Sequence, residues 1–387
     1  MQNKVLKTIC LILSYVLVAT TAVCVTLWVV AGQIPPGSNK LDQLANLLVQ
    51  RFVDGADKTE LEDAAAHGMV AALGDRWSYY IPADEYAAYL EQKKNAYVGI
   101  GVTIQTTETG YPIQKVAEGG PAAEAGLLAG DIIVAVDGTR VAGMDADAGK
   151  ALVQGKAGTQ VEITVDRNGA EMTFTVTRGT VKTPVATAKL LEGNVGLVTI
   201  ANFNTNCAKE TIAAVESLLE QGAEKLIFDV RYNGGGYAEE MNKVLDYLLP
   251  EGELFRTVDY NGKEDVTRSD AKCLDVPMAV LVNGSSYSAA EFFAAALQGY
   301  KWATVVGEKT SGKGYFQVVY QLSDGSAVGV SIGKYFTPWG VSLEGVGITP
   351  DVPVEVTQEQ ASGIYAGTLD PMEDPQILAA IKALKGE

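Results

Sequence analysis

Two residues of this sequence could between them break a covalent bond. They are Ser288, in Asn283-Gly284-Ser285-Ser286-Tyr287-Ser288-Ala289-Ala290-Glu291, and Lys313, in Gly307-Glu308-Lys309-Thr310-Ser311-Gly312-Lys313-Gly314. A serine hydroxyl is a weak nucleophile until a base stands beside it. The chain carries a single histidine, His67, so a lysine is the natural candidate for that base. To accept a proton Lys313 must be neutral, which requires its pKa to fall from about 10.4 towards roughly 7–8. Burial against aromatic neighbours such as Tyr315 and Phe316 would disfavour the ammonium form. On an extended backbone Lys313, Tyr315 and Gln317 share one face, where the Gln317 amide could hold the amine. Each residue also has a plainer reading. Ser288-x-x-Glu291 spells a helix capping box, an isolated loop lysine is ordinarily solvated, and His67 lies among alanines of a helix.

The elements around these residues favour chemistry. The apolar run Met278–Val282 reads as a buried strand feeding straight into a helix at Ser288, where unpaired N–H groups and the helix dipole favour negative charge. A second strand-to-helix turn carries Asp229-Val230-Arg231-Tyr232-Asn233-Gly234-Gly235-Gly236. Consecutive glycines let backbone N–H groups approach an oxyanion or a phosphate. A phosphate loop would need Gly-Lys-Ser/Thr after them, which is missing, and a simple tight turn is the alternative. From about 184 to 356 strands expected at 195–200, 225–230, 278–282, 301–306, 315–322 and 327–332 alternate with helices at 207–221 and 237–249. That alternation predicts an α/β sheet with its active groups on loops at the strand ends.

Upstream the pattern differs. Residues 97–179 read as short strands joined by turns: Val98-Gly99-Ile100-Gly101-Val102, a short helix from Pro121 to a stop at Gly126, a strand at 132–136 ended by Asp137-Gly138, a helix near 146–153, and a hairpin turning at Asn168-Gly169 between 161–165 and 171–177. Before that, Leu41, Leu44, Leu47, Leu48 and Phe52 recur at helical spacing, and a helix is expected over 59–73 with Thr59-x-x-Glu62 as its capping box.

Together these motifs resemble the carboxyl-terminal processing proteases, the tail-specific serine–lysine family (peptidase family S41) with an embedded PDZ domain. The resemblance covers most of the chain after its first segment. It rests on Leu73-Gly74-Asp75-Arg76-Trp77-Ser78-Tyr79-Tyr80, the glycine loop after Asp229-Val230-Arg231, Ser288-x-x-Glu291, the Lys313 loop followed by Gln317, and Gly345-Val346-Gly347-Ile348-Thr349-Pro350-Asp351. Ser288 and Lys313 are 25 positions apart, the family's usual spacing. The resemblance implies Ser288 as nucleophile, Lys313 as general base, Gln317 as its orienter, and N–H groups of Ala289 and Gly235 as the oxyanion hole. Residues 97–179 resemble a PDZ domain, with Gly99, Ile100, Gly101 and Val102 as the loop that binds a peptide's C-terminal carboxylate; the peptide then adds as a strand to the sheet edge. Four positions depart from the family pattern: Tyr287 and Ala290 interrupt its alternating Ser and Ala, Gly234 stands where Pro is common, and Gly299 stands where some members carry Asp.

The expected fold class is therefore a multidomain α+β and α/β protein: a cytoplasmic tip and signal anchor over 1–32, a linker and helical part over 33–96, a PDZ domain over 97–180, an α/β protease core over 181–356, and a tail with a short helix over 357–387. Lys4 and Lys7 precede an uncharged stretch whose apolar core, 9–31, reaches the roughly 20 residues that span a bilayer and exceeds the roughly 7–15 of a cleaved signal core. This predicts a single-pass anchor with its N-terminus inside and the catalytic part outside the cytoplasm, in a bacterial cell envelope. A net charge of −17 in 387 residues argues against nucleic acid as a partner. The expected partners are proteins or peptides with exposed C-termini. A homodimer is a further candidate, through the helices at 41–52 and 375–384. No metal or organic cofactor is expected, since no cysteine pair has metal-ligand spacing; Cys207 and Cys273 could form one disulfide. Two rivals remain: a catalytically silent PDZ-bearing membrane scaffold, and a Ser-His hydrolase using His67.

Overall fold

The computed structural model of the chain describes residues 11, 13–24 and 39–386. The signal anchor expected over 9–31 lies largely outside them. Residues 13–24 are helical, and among the described residues no helix is long and apolar enough to cross a membrane. The chain divides into two units, Met1–Tyr80 and Ile81–Glu387.

In the first unit two helices follow one another, Lys40–Arg51 and Lys58–Ala71. Asn39 caps the first, its Oδ1 accepting from the amides of Leu41 and Asp42. Asp57, not Thr59, caps the second, accepting from the Glu60 amide at 3.0 Å. The expected box at Thr59 therefore sits inside the helix; an aspartate two residues earlier offers the stronger acceptor at a helix start. His67 packs edge-on against Tyr80, whose hydroxyl donates to Asp63 at 2.6 Å. The Asp75 carboxylate accepts from the Trp77 amide and the Ser78 hydroxyl, so the Gly-Asp-Arg-Trp-Ser run folds as a turn around its aspartate.

In the second unit an antiparallel sheet with short helices spans the PDZ-like region. The strands Val102–Ile104, Tyr111–Val116, Ile132–Val136, Gln160–Arg167 and Ala170–Thr177 pair in that order. The two expected turns form, with positive φ at Asp137, Gly138, Asn168 and Gly169, as a tight hairpin between right-twisted strands demands. Ile113, Ile133, Ile163, Val165 and Val176 alternate inward to make a separate core. Asp131 ties the region together: it takes a forked pair of hydrogen bonds from Arg167 (2.6 and 2.7 Å) and one from the Leu128 amide. The Arg167 hydrogen bonds hold the Asp131 carboxyl below its ordinary value. A depressed folded-state pKa adds stability above the unfolded value of about 3.9, and loses it as pH falls through the folded value. Thermal unfolding of the full chain between about pH 6 and 3 should therefore show an acid-labile transition that Asp131→Asn flattens; an unchanged slope would remove this role.

The core is a six-stranded sheet: β1 (Ala186–Leu191), β2 (Val195–Ile200), β3 (Lys225–Asp229), β4 (Met278–Val282), β5 (Ala303–Gly307) and β6 (Val352–Pro353). β1 is antiparallel to β2, and β2 through β6 run parallel. Strands buried on both faces read as continuous apolar runs, and the alternation sorts them. Leu226, Phe228, Met278, Val280 and Val282 face α1 (Cys207–Glu220), α2 (Ala238–Leu248) and α3 (Ala289–Gly299). Ile227, Ala279, Leu281 and Val306 face the C-terminal helix Pro375–Leu384, through Ile377, Ala380 and Ile381. That helix, a candidate for pairing between subunits, thus closes the core of its own chain. Buried Arg231 binds Asp229 and, at 2.8 Å, Asp374 at the start of the same helix. A second, antiparallel sheet contains Glu264–Ser269, Gly252–Asp259, Ala327–Phe336 and Tyr315–Gln321. Cys207 and Cys273 are both free, the first buried and the second exposed; burial pushes the Cys207 thiol up to about 12. The disulfide is not formed.

Candidate active site

Three neighbouring parallel strands end at the pieces the sequence singled out. β3 ends in the glycine loop, β4 in the Ser288 turn, and β5 in the loop that carries Lys313. Side-chain polar groups stitch the first two. The Asn283 carboxamide oxygen accepts from the Tyr232 amide, the Ser286 hydroxyl donates to the Val230 carbonyl, and the Tyr287 amide donates to the Asn233 carbonyl. Gly235, at φ +83°, comes so close that a Cβ there would lie 2.8 Å from Ser288 Cβ and 2.9 Å from the Ala289 nitrogen. Only glycine permits both the conformation and the approach.

Ser288 is buried and holds φ 59° and ψ −126°, outside the regions a side chain favours. Such a backbone costs on the order of 1–3 kcal/mol and persists only where its surroundings over-determine it. It is the geometry of a strand-to-helix nucleophile turn. The Ser288 amide donates to Glu291 Oε2 at 3.0 Å, while the Glu291 amide goes to the Ser288 carbonyl.

Glu291 is the hub that sequence reasoning missed. Fully buried, it takes four hydrogen bonds: Oε2 from the amides of Ser288 and Lys313 (3.0 and 2.8 Å), Oε1 from the Gly312 amide (2.8 Å) and the Thr310 hydroxyl. The nucleophile turn and the lysine loop thus converge on one oxygen atom. Burial pushes the Glu291 carboxyl above its ordinary range, and the four donors pull against it. Thr310 passes the link on by accepting from the Ile348 amide at 2.7 Å. A Cβ on Gly312 would lie 2.9 Å from the Gly347 nitrogen, and one on Gly347 would lie 2.5 Å from the Thr310 oxygen. The Gly345–Asp351 motif therefore backs the lysine loop. The sequence did carry a signal: Glu291 is the lone charge in an otherwise apolar helix, Ala-Ala-Glu-Phe-Phe-Ala-Ala-Ala-Leu.

Other expected details differ. Gly235 lies beside Ser288, but its N–H donates to Asn233 Oδ1 at 2.8 Å. The asparagine closes its own turn, so this amide is not turned to an oxyanion here. The Ala289 N–H, at the first position of α3, has no hydrogen-bond partner among the described residues. Lys313 precedes its strand, and where Phe316 and Gln317 pair with Gly333 and Ser331 the extra residue, Ile332, lies on the partner strand. Gln317 Nε2 donates to Ser331 Oγ at 2.9 Å and to the Tyr315 carbonyl. The Lys313 amine stands 5.9 Å from the centroid of the Tyr287 ring. In the PDZ-like domain the Ile100 and Gly101 carbonyls are tied to the amides of Ala122 and Ala117. Val102 begins an edge strand, paired on one side only among the described residues. Its stem docks on the core: Asn95 Nδ2 donates to the Thr205 carbonyl, and Asn202 Nδ2 to Asn95 Oδ1. Among the described residues no group of three or more His, Cys, Asp or Glu side chains could hold a metal ion.

A strained serine at a strand end, a glycine loop against it, a lysine loop tied to it and an embedded antiparallel module define a serine-type peptidase with a PDZ domain. The Peptidase family S41 model matches residues 194–354, and the PDZ domain model matches residues 98–177. The chain is 31% identical over 326 residues to the carboxy-terminal processing protease CtpA of Bacillus subtilis, covering 83% of this chain and 70% of that one. It is 34% identical over 313 residues to the chloroplastic C-terminal processing peptidase of Tetradesmus obliquus, covering 75% and 67%. A solved structure from Bacteroides fragilis assigned to the S41 proteases superposes with a TM-score of 0.55 at 17% identity, over 92% of this chain and 99% of that one, a likeness of fold. The chain belongs to peptidase family S41, the C-terminal processing peptidases.

Proposed function

We propose that the protein is a membrane-anchored endopeptidase of the cell envelope, acting outside the cytoplasm by a Ser288–Lys313 mechanism on proteins recognised by their C-termini. The convergence of the Ser288 and Lys313 backbones on Glu291 supports this reading most directly, because it holds a nucleophile and a base on one rigid support. Neutral Lys313 takes the Ser288 proton as the hydroxyl oxygen attacks the peptide carbonyl. The Ala289 N–H receives the oxyanion, an effect typically worth about 2.7–4 kcal/mol per donor; the Gly235 N–H joins it when Asn233 releases it. Lysine then returns the proton to the leaving amine, and water activated by the same amine frees the acyl-enzyme. Gln317, by turning its amide out of the hairpin, would orient the lysine. The substrate's C-terminal carboxylate would bind at Gly99-Ile100-Gly101-Val102, its last residues adding to the open edge of Val102–Ile104. The uncharged stretch over 9–31 supports the anchor, and the two lysines before it support the orientation.

The full chain, solubilised in mild detergent, should cleave a peptide with an apolar, uncharged C-terminus. A serine-directed fluorophosphonate should stop that cleavage and label Ser288, as read by mass spectrometry of the digested protein. Label on any other serine, or cleavage that persists after complete labelling, would overturn the assignment.

A further inference from the structure

Tyr287 stands directly before Ser288 and is half-buried. Its amide is held by the Asn233 carbonyl, and its ring reaches over the glycine loop: a Cβ on Gly234 would lie 2.5 Å from the Tyr287 hydroxyl oxygen and 2.8 Å from Cζ. The Lys313 amine stands 5.9 Å from the centroid of the same ring. One aromatic side chain thus touches the glycine loop, adjoins the nucleophile and neighbours the base. Gly234 and Tyr287 are also two of the four positions that depart from the family pattern, and the contact makes them one matched pair: a side chain at 234 would meet the hydroxyl end of the ring where it now stands. Gly299 follows the same logic elsewhere, since a Cβ there would lie 1.9 Å from the Trp339 ring.

We propose that Tyr287 is the specificity wall of the active site, its ring over Gly234 restricting the substrate residue that supplies the scissile carbonyl to a small side chain. The proposal rests on Ser288 being the nucleophile. A carbonyl attacked by Ser288 must lie beside the helix start at Ala289 and the glycine loop, so the side chain next to that carbonyl approaches the space the ring occupies. Removing the ring opens that space, whereas removing only the hydroxyl leaves the wall standing. Differences of one or a few methylenes in an apolar pocket discriminate by roughly 10–200-fold, which sets the size of the effect.

The test uses the full chain in detergent and a peptide set with one apolar C-terminal tail, one internal position being Ala, Val, Leu or Phe. Products are mapped by mass spectrometry to confirm that the bond after that position is cut. The wild-type protein should prefer Ala. Tyr287→Ala should raise the Phe-to-Ala ratio of kcat/KM by about tenfold or more, and Tyr287→Phe should keep the wild-type ratio. Gly234→Ala should lower kcat/KM when Tyr287 is present and have little effect beside Tyr287→Ala. An unchanged ratio in a folded Tyr287→Ala protein, or a Gly234→Ala loss that ignores the residue at 287, overturns the wall while leaving the nucleophile in place. Cleavage that survives Ser288→Ala overturns both.

Discussion

Lys313→Ala should reduce peptide cleavage by about 10²–10⁴-fold, the range that a positioned acid–base group contributes, while leaving the fold and the PDZ domain intact. The separation is built into the site. What holds the lysine loop to Glu291 is the Lys313 amide, at 2.8 Å, and an alanine keeps that amide. Gly312 and Thr310 bind the same carboxylate and are untouched. The substitution therefore removes the amine without releasing the loop, and the melting temperature should stay near the wild-type value. Lys313→Arg should be equally inactive, because a guanidinium cannot give up its proton in a protein. Binding of a fluorescent peptide with an apolar C-terminus, followed by anisotropy, should be unchanged in both variants. Cleavage within tenfold of wild type would remove Lys313 as base; cleavage lost together with peptide binding would point to a misfolded protein and would be visible as a lowered melting temperature.

How much of this was legible in the sequence depends on what kind of signal each feature leaves. The core sheet was readable because β3, β4 and β5 are buried on both faces and so appear as Leu-Ile-Phe, Met-Ala-Val-Leu-Val and Ala-Thr-Val-Val runs bounded by glycine. The PDZ hairpin was readable because Asn168-Gly169 can satisfy two successive positive φ angles. What failed was whatever depends on the direction of one amide. Gly235 was correctly set beside Ser288, yet the Asn233 side chain, two residues earlier, takes its N–H; no periodicity encodes that choice. Gln317 is expected to hold the Lys313 amine, and its amide instead bonds Ser331 across the hairpin. The role of Glu291 was half visible: the box Ser288-x-x-Glu291 is a local pattern, but its other two amides arrive from Gly312 and Lys313, more than twenty residues downstream. Long-range partners of a buried charge are tertiary facts, and the sequence could offer only the oddity of a carboxylate among alanines and phenylalanines.

That buried carboxylate carries the other large expected effect. Glu291→Gln keeps the size of the side chain and one acceptor oxygen, but puts an NH₂ group where an oxygen now receives two hydrogen bonds. At least one of the amides of Ser288, Gly312 and Lys313, or the Thr310 hydroxyl, must then face a donor. A buried polar group left without its partner costs about 1–3 kcal/mol, and more where the lost acceptor is charged. The strained backbone of Ser288 loses its anchor at the same time, as does the loop that presents Lys313. We expect kcat to fall on the order of 10²-fold, the scale on which a displacement of about 1 Å is felt in catalysis, with a lowered melting temperature. The pH dependence gives a second reading, and its two signs differ. Burial holds the Glu291 carboxyl above its ordinary value, so the folded protein binds that proton more tightly than the unfolded chain. The group's contribution to stability is thus fully present below the unfolded pKa of about 4.3 and is lost as pH rises through the folded value. Activity follows the opposite course, because only the carboxylate offers acceptors to all four donors: kcat should fall reversibly as pH drops through the raised pKa. Measured from about pH 4 to 7, protonation of the Lys313 base gives both proteins an acidic limb; the wild-type limb should be the steeper, because Glu291 takes up a second proton, whereas Glu291→Gln should run lower and fall with the lysine alone. A Gln variant with wild-type kcat, or with a parallel acidic limb, would show that the serine turn and the lysine loop hold their geometry without the carboxylate on which they converge.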